Sequence, residues 1–197
     1  EVLKLHGVEP AMAAGLSLGE YSALVSSNAI SFEDAVAVVK KRGKFMQEAV
    51  PEGEGTMAAV MGIDRTEIHH CLKMASGYGI VEAANYNCPG QVVIAGHTRA
   101  IEVACNLLKE RGAKRVKILP VSAPFHSSLL KSAGMKLSKE LDKIKFNDMK
   151  IPVISNVNAQ IIKDKYEIKK LLVEQVSSSV LWEDSIRNMI AQGVDTF

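Results

Sequence analysis

Gly15-Leu16-Ser17-Leu18-Gly19 is the stretch on which the reading of this chain turns. It lies within Pro10–Val25, PAMAAGLSLGEYSALV, where small and apolar residues lead into a serine and an amphipathic segment, Glu20 to Ser27, follows at once. That order predicts a strand over Pro10–Leu16, a tight turn at Ser17 and a helix over Leu18–Ser27, the pattern of a nucleophile elbow. A sharp turn lifts the serine hydroxyl clear of the sheet. Glycines two before and two after are expected because a Cβ at either place would collide with the neighbouring strand or helix. A helix starting directly after the serine aims its first N–H groups, that of Leu18 among them, at any oxyanion forming beside Ser17.

With 197 residues and 47% hydrophobic content, the chain can bury the core of one domain or one and a half. Charge is balanced, 24 basic against 22 acidic residues, so nothing in it points to nucleic acid. No apolar run reaches the ~18 residues a membrane helix needs, and no signal peptide is recognisable. No membrane partner is therefore expected, and a cytoplasmic location is. Cys71, Cys88 and Cys105 have neither CxxC spacing nor a histidine cluster, and read as buried or turn cysteines of a reducing compartment. No metal site is expected. The chain begins without Met in what reads as a helix end, Glu1–His6, and stops at Phe197 in what reads as a strand, so a piece of a longer protein is expected.

A second helix is signalled by Ser31 as N-cap with Asp34 three residues on. Its apolar stripe is Ala35, Val38, Val39, Phe45, Met46 and Ala49, at helical period. Arg42 falls on that stripe, whereas Lys40, Lys41 and Lys44 lie largely off it. An inward guanidinium needs an anion or a set of carbonyls. Two readings stand: a snorkelling or structurally paired arginine, or a clamp that holds a substrate carboxylate through two parallel hydrogen bonds. Pro51–Gly55 is a linker by composition. Beyond it come a strand (Thr56–Ile63), a helix capped by Asp64 and running to about Ser76, and a strand (Val81–Asn85). A turn (Asn87–Gly90), a strand (Gln91–Ala95), a helix (Thr98–Arg111) and a strand (Arg115–Leu119) complete the segment. This βαββαβ order predicts a ferredoxin-like small subdomain over 55–119, inserted into a discontinuous core of 1–54 and 120–197. His69, His70 and His97 lie in the insertion without metal-ligand company and read as surface or capping residues.

The core resumes at Pro120–Ser128, where His126 stands between a proline-bounded loop and a helix from Ser127 through Lys143. Such a place suits a catalytic base. A strand over Ile151–Asn156 follows, then a helix over Tyr166–Ser177 with Ile168, Leu171, Leu172 and Gln175 on one stripe. A helix over Trp182–Gln192 and a strand from Val194 end the chain. If Ser17 is the nucleophile and His126 its base, the usual Ser-acid-His order asks for a carboxylate between them. The aspartates there, Asp34 and Asp64, sit at helix starts where capping explains them, and no carboxylate holds a strand end. Something neutral must orient His126. The pattern favours a Ser-His dyad with Arg42 reading an acidic acyl group. A serine thioesterase or esterase and a non-catalytic docking domain are the alternatives.

These residues resemble the malonyl-CoA:acyl carrier protein transacylases, the acyltransferase family of fatty-acid and polyketide synthesis. The matching pieces are Gly15–Leu24, Lys41–Gln47, Asn85–Gly96, Ala123–Ser127 and Glu174-Gln175 before Trp182, in family order along essentially the whole chain. The resemblance implies an α/β fold, an α/β-hydrolase-like core carrying the ferredoxin-like insertion. Ser17 would take malonyl from CoA, His126 would shuttle the proton, Leu18 N–H would serve the oxyanion and Arg42 would hold the malonyl carboxylate. The backbone carbonyl of Gln175 would orient His126, and Phe125 would tilt selection toward malonyl. CoA enters as a thioester substrate, with no tightly bound cofactor, and acyl carrier protein is the second partner. Lys114, Arg115 and Lys117, beside the junction of the two subdomains, and Lys131 and Lys136 are candidates for docking it, with a solvated charge run as the alternative reading. Two family segments, an N-terminal Gly-Gln-Gly-x-Gln with the second oxyanion donor and a C-terminal Gly-Pro-Gly, are absent from these residues, and Leu16 stands where the family commonly has His.

Overall fold

A computed structural model describes residues 5–197; the helix end expected at Glu1–His6 lies mostly outside them. The chain forms an α/β structure of two packed bodies. In the first, α1 (Leu18–Ser26), α2 (Phe32–Gln47), α5 (Lys131–Leu141) and α6 (Lys165–Gln175) enclose Leu24, Ile30, Val38, Leu130, Leu137, Ile168 and Leu172. Helix α2 begins as its sequence dictates, with Ser31 Oγ accepting the Asp34 N–H at 3.0 Å. Its inward face carries Ala35, Val38, Met46 and, among them, Arg42.

In the second body β1 (Gly55–Met61), α3 (Arg65–Ala75), β2 (Val81–Cys88), β3 (Gln91–His97), α4 (Thr98–Glu110) and β4 (Arg115–Ile118) build one four-stranded sheet. The strand order is β2-β3-β1-β4 and every neighbouring pair is antiparallel. Each helix thus joins two strands that run the same way with another strand between them, giving two interleaved βαβ units. One sheet face, with Ala58, Val60, Ala83 and Ile94, packs on Ile68, Leu72, Ile101 and Leu108 of α3 and α4. The other face, Met57, Ala84, Val93 and Ala95, meets Leu119, Val121 and Phe125 of the chain returning to the first body. Burial on both faces explains why the central strands β1 and β3 carry near-continuous runs of apolar and small residues. A last helix, α7 (Trp182–Ala191), lies against β2.

Four expectations are corrected. Pro10–Leu16 is not a strand: Ala13 makes a single parallel bridge to Val153, donating to Pro152 O at 2.8 Å and accepting from Ile154 N–H at 3.0 Å. The next positions are bonded by a side chain instead of a backbone ladder, Asn156 Nδ2 donating to Gly15 O and Asn156 Oδ1 accepting the Ser17 N–H. For the same reason Ile151–Asn156 shows only the bridges at Val153 and Ile154. Val194–Phe197 is no strand either, since Val194 N–H turns back onto Met189 O to close α7. The helix expected from Ser127 to Lys143 starts with a 3-10 turn at Ser128–Leu130 and becomes α-helical only from Lys131.

Candidate active site

Ser17 sits at the N-cap of α1 with φ 53° and ψ −103°, a strained conformation for a residue with a Cβ. Its backbone is pinned on both sides. Ser17 N–H donates to Asn156 Oδ1 at 2.6 Å, while Ser17 O accepts from Gln175 Nε2 at 2.9 Å and from Glu20 N–H at 3.1 Å. A Cβ on Gly15 would stand 2.0 Å from Gly19 O, so that glycine is required. Gly19 is different, because a Cβ there would meet nothing within 4 Å. The collision expected at both glycines is confined to Gly15, and the close approach is of Gly15 to the backbone of Gly19. Leu18 N–H, the first helical amide, has no acceptor among the described residues and points out of the exposed start of α1.

His126 is brought to the serine from 109 residues further along the chain. Its Nε2 lies 2.7 Å from Ser17 Oγ, and its Nδ1 lies 2.8 Å from Gln175 O. A carbonyl only accepts, so Nδ1 carries the proton and Nε2 receives the serine O–H. His126 is buried and also has a positive φ, 59°. Burial first, then the charge of Arg42, push its pKa from 6.5 down to about 4, with backbone hydrogen bonding to Gln175 and Ser178 offsetting part. The ring is thus a neutral base at ordinary pH.

Arg42 is 5% exposed and reaches the same oxygen: Nη2 donates to Ser17 Oγ at 2.8 Å and to Gln175 Oε1 at 2.9 Å. Its carbon Cζ lies 5.7 Å from the centroid of the Tyr21 ring. Among the described residues its Nε has no partner, nor has the buried Tyr21 hydroxyl. A buried cation with an unused donor can take an anion with two oxygens. Gln175 therefore does double service, its carbonyl on His126 and its side chain between Arg42, Ser17 O and Glu20.

Two residues of the site escape a reading of the sequence by motif. Glu20 is fully buried, its Oε2 accepting from Gln175 Nε2 at 2.7 Å and from Asn156 N–H at 3.1 Å. Burial raises its pKa from 4.5 to about 7, held back by Gln175, the Asn156 N–H, the Ser155 hydroxyl and Arg42. It is not a triad acid, because Gln175 stands between it and His126. A charge on the same helix face as Ala23 and Leu24 was the signal for it, the argument that found Arg42. Asn156 had no such signal. Phe125 adjoins His126 in sequence, but its ring packs between the large core and the inner sheet face. A cavity of about 510 Å³ opens beside His126 at the join of the two bodies, lined by Glu82, Tyr86, Lys73 and Ser177–Ser179. Among the described residues no three His, Cys, Asp or Glu side chains converge to hold a metal ion, and no helix is long and apolar enough to cross a membrane. His69 Nε2 meets Tyr86 Oη at 2.8 Å and His97 Nδ1 accepts Ile80 N–H at 2.9 Å, so both serve the small body.

A serine on a strained turn before a helix, a neutral histidine on its hydroxyl and a buried cation thus meet at one oxygen. The chain belongs to the acyl transferase domain family, whose model matches residues 1–197. It is 50% identical over 198 residues to the malonyl CoA-acyl carrier protein transacylase of Bacillus subtilis, an alignment covering 100% of this chain and 62% of that protein. Among solved structures it resembles the malonyl CoA-acyl carrier protein transacylase of Clostridium perfringens with a TM-score of 0.96 at 50% identity, covering 100% of this chain and 62% of that one. It also resembles a malonyl-transacylase solved with a type II PKS acyl-carrier protein, with a TM-score of 0.95 at 42% identity over 98% of this chain and 63% of that one. The chain thus spans about six tenths of the length of these relatives.

Proposed function

We propose that this chain is the catalytic part of a malonyl-CoA:acyl carrier protein S-malonyltransferase working in fatty-acid synthesis. The observation that carries the reading is the meeting of His126 Nε2 and Arg42 Nη2 on Ser17 Oγ, at 2.7 and 2.8 Å. His126 takes the Ser17 proton as Oγ attacks the thioester carbonyl, and Leu18 N–H faces the oxyanion. The C–S bond breaks, CoA leaves as a thiol with the proton from His126, and malonyl remains as an ester on Ser17. The phosphopantetheine thiol of acyl carrier protein then gives its proton to His126 and attacks that ester, and Ser17 is restored on recovering the proton. Arg42 turns from Oγ to the malonyl carboxylate, while the Gln175 carbonyl holds the imidazole in one tautomer. This chemistry needs no bound cofactor, and a cytoplasmic location goes with it.

The strand order and the two interleaved βαβ units support a ferredoxin-like insertion over 55–119 in an α/β-hydrolase-like core of 1–54 and 120–197. Phe125, wedged between the two, would limit the width of the acyl pocket from behind His126. Lys114, Arg115, Lys117, Lys131 and Lys136 are all exposed and form the basic surface offered to an acidic carrier protein. Reversing those charges should raise the KM for carrier protein and leave loading from malonyl-CoA intact; equal effects on both would refute the docking role.

The decisive experiment follows the mass of Ser17 peptides after mixing the protein with malonyl-CoA or acetyl-CoA. Retained malonyl with little acetyl is expected. In Arg42→Ala the preference should fall by about 10²-fold, the worth of ~2–3 kcal/mol for a charged pair of hydrogen bonds. Label lost to water without acceptor would instead mark a serine hydrolase, and no label at all a docking domain.

A further inference from the structure

His126 holds a left-handed φ of 59° in a segment, 119–127, without regular secondary structure. Such a conformation persists only where the surroundings over-determine it. Local bonds are few: Ser127 Oγ to Pro124 O at 2.7 Å, and Phe125 N–H to Ala123 O at 3.0 Å. Val121 N–H to Leu119 O at 2.8 Å and Leu130 N–H to Ser127 O at 3.0 Å add to them, and α2 holds the start of the loop through Gln47 Nε2 to Ser122 Oγ at 2.7 Å. Directly after His126 the hold comes from the small body. Glu82 of β2 accepts the Ser128 N–H on Oε2 at 2.6 Å and the Ser128 hydroxyl on Oε1 at 2.9 Å. A carboxylate binding an amide and a hydroxyl of one residue fixes both its position and its orientation.

The other arm of the imidazole is tied to the same strand. Past Gln175, whose carbonyl meets Nδ1, Ser179 Oγ donates to Ala83 O, Val180 N–H donates to Ala84 O at 2.8 Å, and Tyr86 N–H donates to Val180 O at 2.9 Å. Val180 thus bridges Asn85 in parallel, at the place where β2 departs from regular register with β3. Both chain segments that orient His126 hang from residues 82–86.

We propose that Glu82 is a positioning residue for His126, acting through Ser128 to fix the imidazole against Ser17. This inference rests on the dyad reading above. Misplacing a base by about 1 Å can cost ~10²-fold in rate. Glu82 lines the cavity beside His126 but touches neither Ser17 nor Arg42, and both its oxygens are taken up by Ser128, so the loss should fall on the rate and not on half-saturation.

The test measures malonyl loading of Ser17 in the intact protein, as rate constant and half-saturation, for wild type, Glu82→Ala, Glu82→Gln and His126→Ala. For Glu82→Ala the loading rate at saturation should fall about 10- to 100-fold with half-saturation unchanged. Glu82→Gln keeps an oxygen for the Ser128 N–H and should recover most of that loss. Should Glu82→Ala fail to fold, Glu82→Asp, a methylene too short, should give the same fall in rate at unchanged half-saturation. Wild-type rates in Glu82→Ala, a loss confined to half-saturation, or a Gln variant as slow as Ala would overturn the proposal. If His126→Ala is inactive while Glu82→Ala loads normally, only the role of Glu82 falls. A fully active His126→Ala removes the dyad and this inference together.

Discussion

Arg42 and His126 converge on one oxygen, and their charges set the pH behaviour of the site. Because burial and the neighbouring guanidinium hold His126 near pKa 4, the base stays unprotonated through the neutral range. Single-turnover loading should therefore be flat in its histidine dependence above about pH 5 and decline as the pH falls toward 4. A decline centred near 6.5 would mean that the imidazole is exposed in the working state. Glu20 makes a separate prediction about folding. Its proton is bound more tightly in the folded chain, from about 7 against 4.5, so its stabilising share is complete below 4.5 and is lost as pH rises through 7. His126 acts in the opposite sense, destabilising the fold as pH falls from 6.5 to about 4. Between 4.5 and 6.5 the two slopes oppose. Glu20→Gln, whose amide oxygen can still accept from Gln175 and Asn156, removes one of them. Its thermal midpoint should climb from pH 4 to 6.5 more steeply than that of wild type, and above pH 7 it should exceed wild type.

At the scale of elements, the elbow separates two glycines that look alike in the sequence. Gly15→Ala drives a Cβ to 2.0 Å from Gly19 O, backbone against backbone at a pinned turn, and should give little or no folded protein. Gly19→Ala meets open space and gains about 1 kcal/mol of helix propensity at most, so it should fold with a midpoint at or above wild type. Circular dichroism on the two variants checks the contrast. The same turn shows how far the sequence could be read. Helical period and caps located every helix around the site to within four residues, because Ser31, Asp64 and the apolar stripes act locally. Arg42 was visible as a charge on such a stripe. The strands over Pro10–Leu16 and Ile151–Asn156 were over-read, because apolar composition does not reveal that Asn156, about 140 residues away along the chain, would take the hydrogen bonds of Gly15 and Ser17. The double duty of Gln175 was equally hidden, since its carbonyl role came from family resemblance and its side-chain role depends on three partners distant in sequence.

Across the whole molecule, the last helix is braced on the small body by polar struts as well as by its packing on β2. Arg65 of α3 spans to α7, donating to both Asp184 oxygens at 3.1 and 2.9 Å and to Glu183 at 2.7 Å, with its Cζ 4.3 Å from the Tyr86 ring centroid. Arg187 grips Glu183 from the same helix. Removing this cluster by Arg65→Ala should lower the thermal midpoint modestly, in line with about 1–2 kcal/mol for a partly exposed network, while loading at low temperature stays near wild type. A large loss of loading would mean that α7 steers the site as well as bracing it. Arg42 Nη2 donates to the Ser17 oxygen that must attack, and an oxygen engaged by a guanidinium is the weaker nucleophile for it. Under the proposed function, an acyl-CoA ending in a carboxylate would supply the guanidinium with a better partner and so free its own nucleophile, whereas a neutral acyl group would find the oxygen still engaged. On the proposed reading, acetyl-CoA should sit in the site as a silent competitor, its inhibition constant far below the concentration at which it acylates Ser17, and the enzyme's fidelity would reside in a released hydroxyl more than in a selective grip.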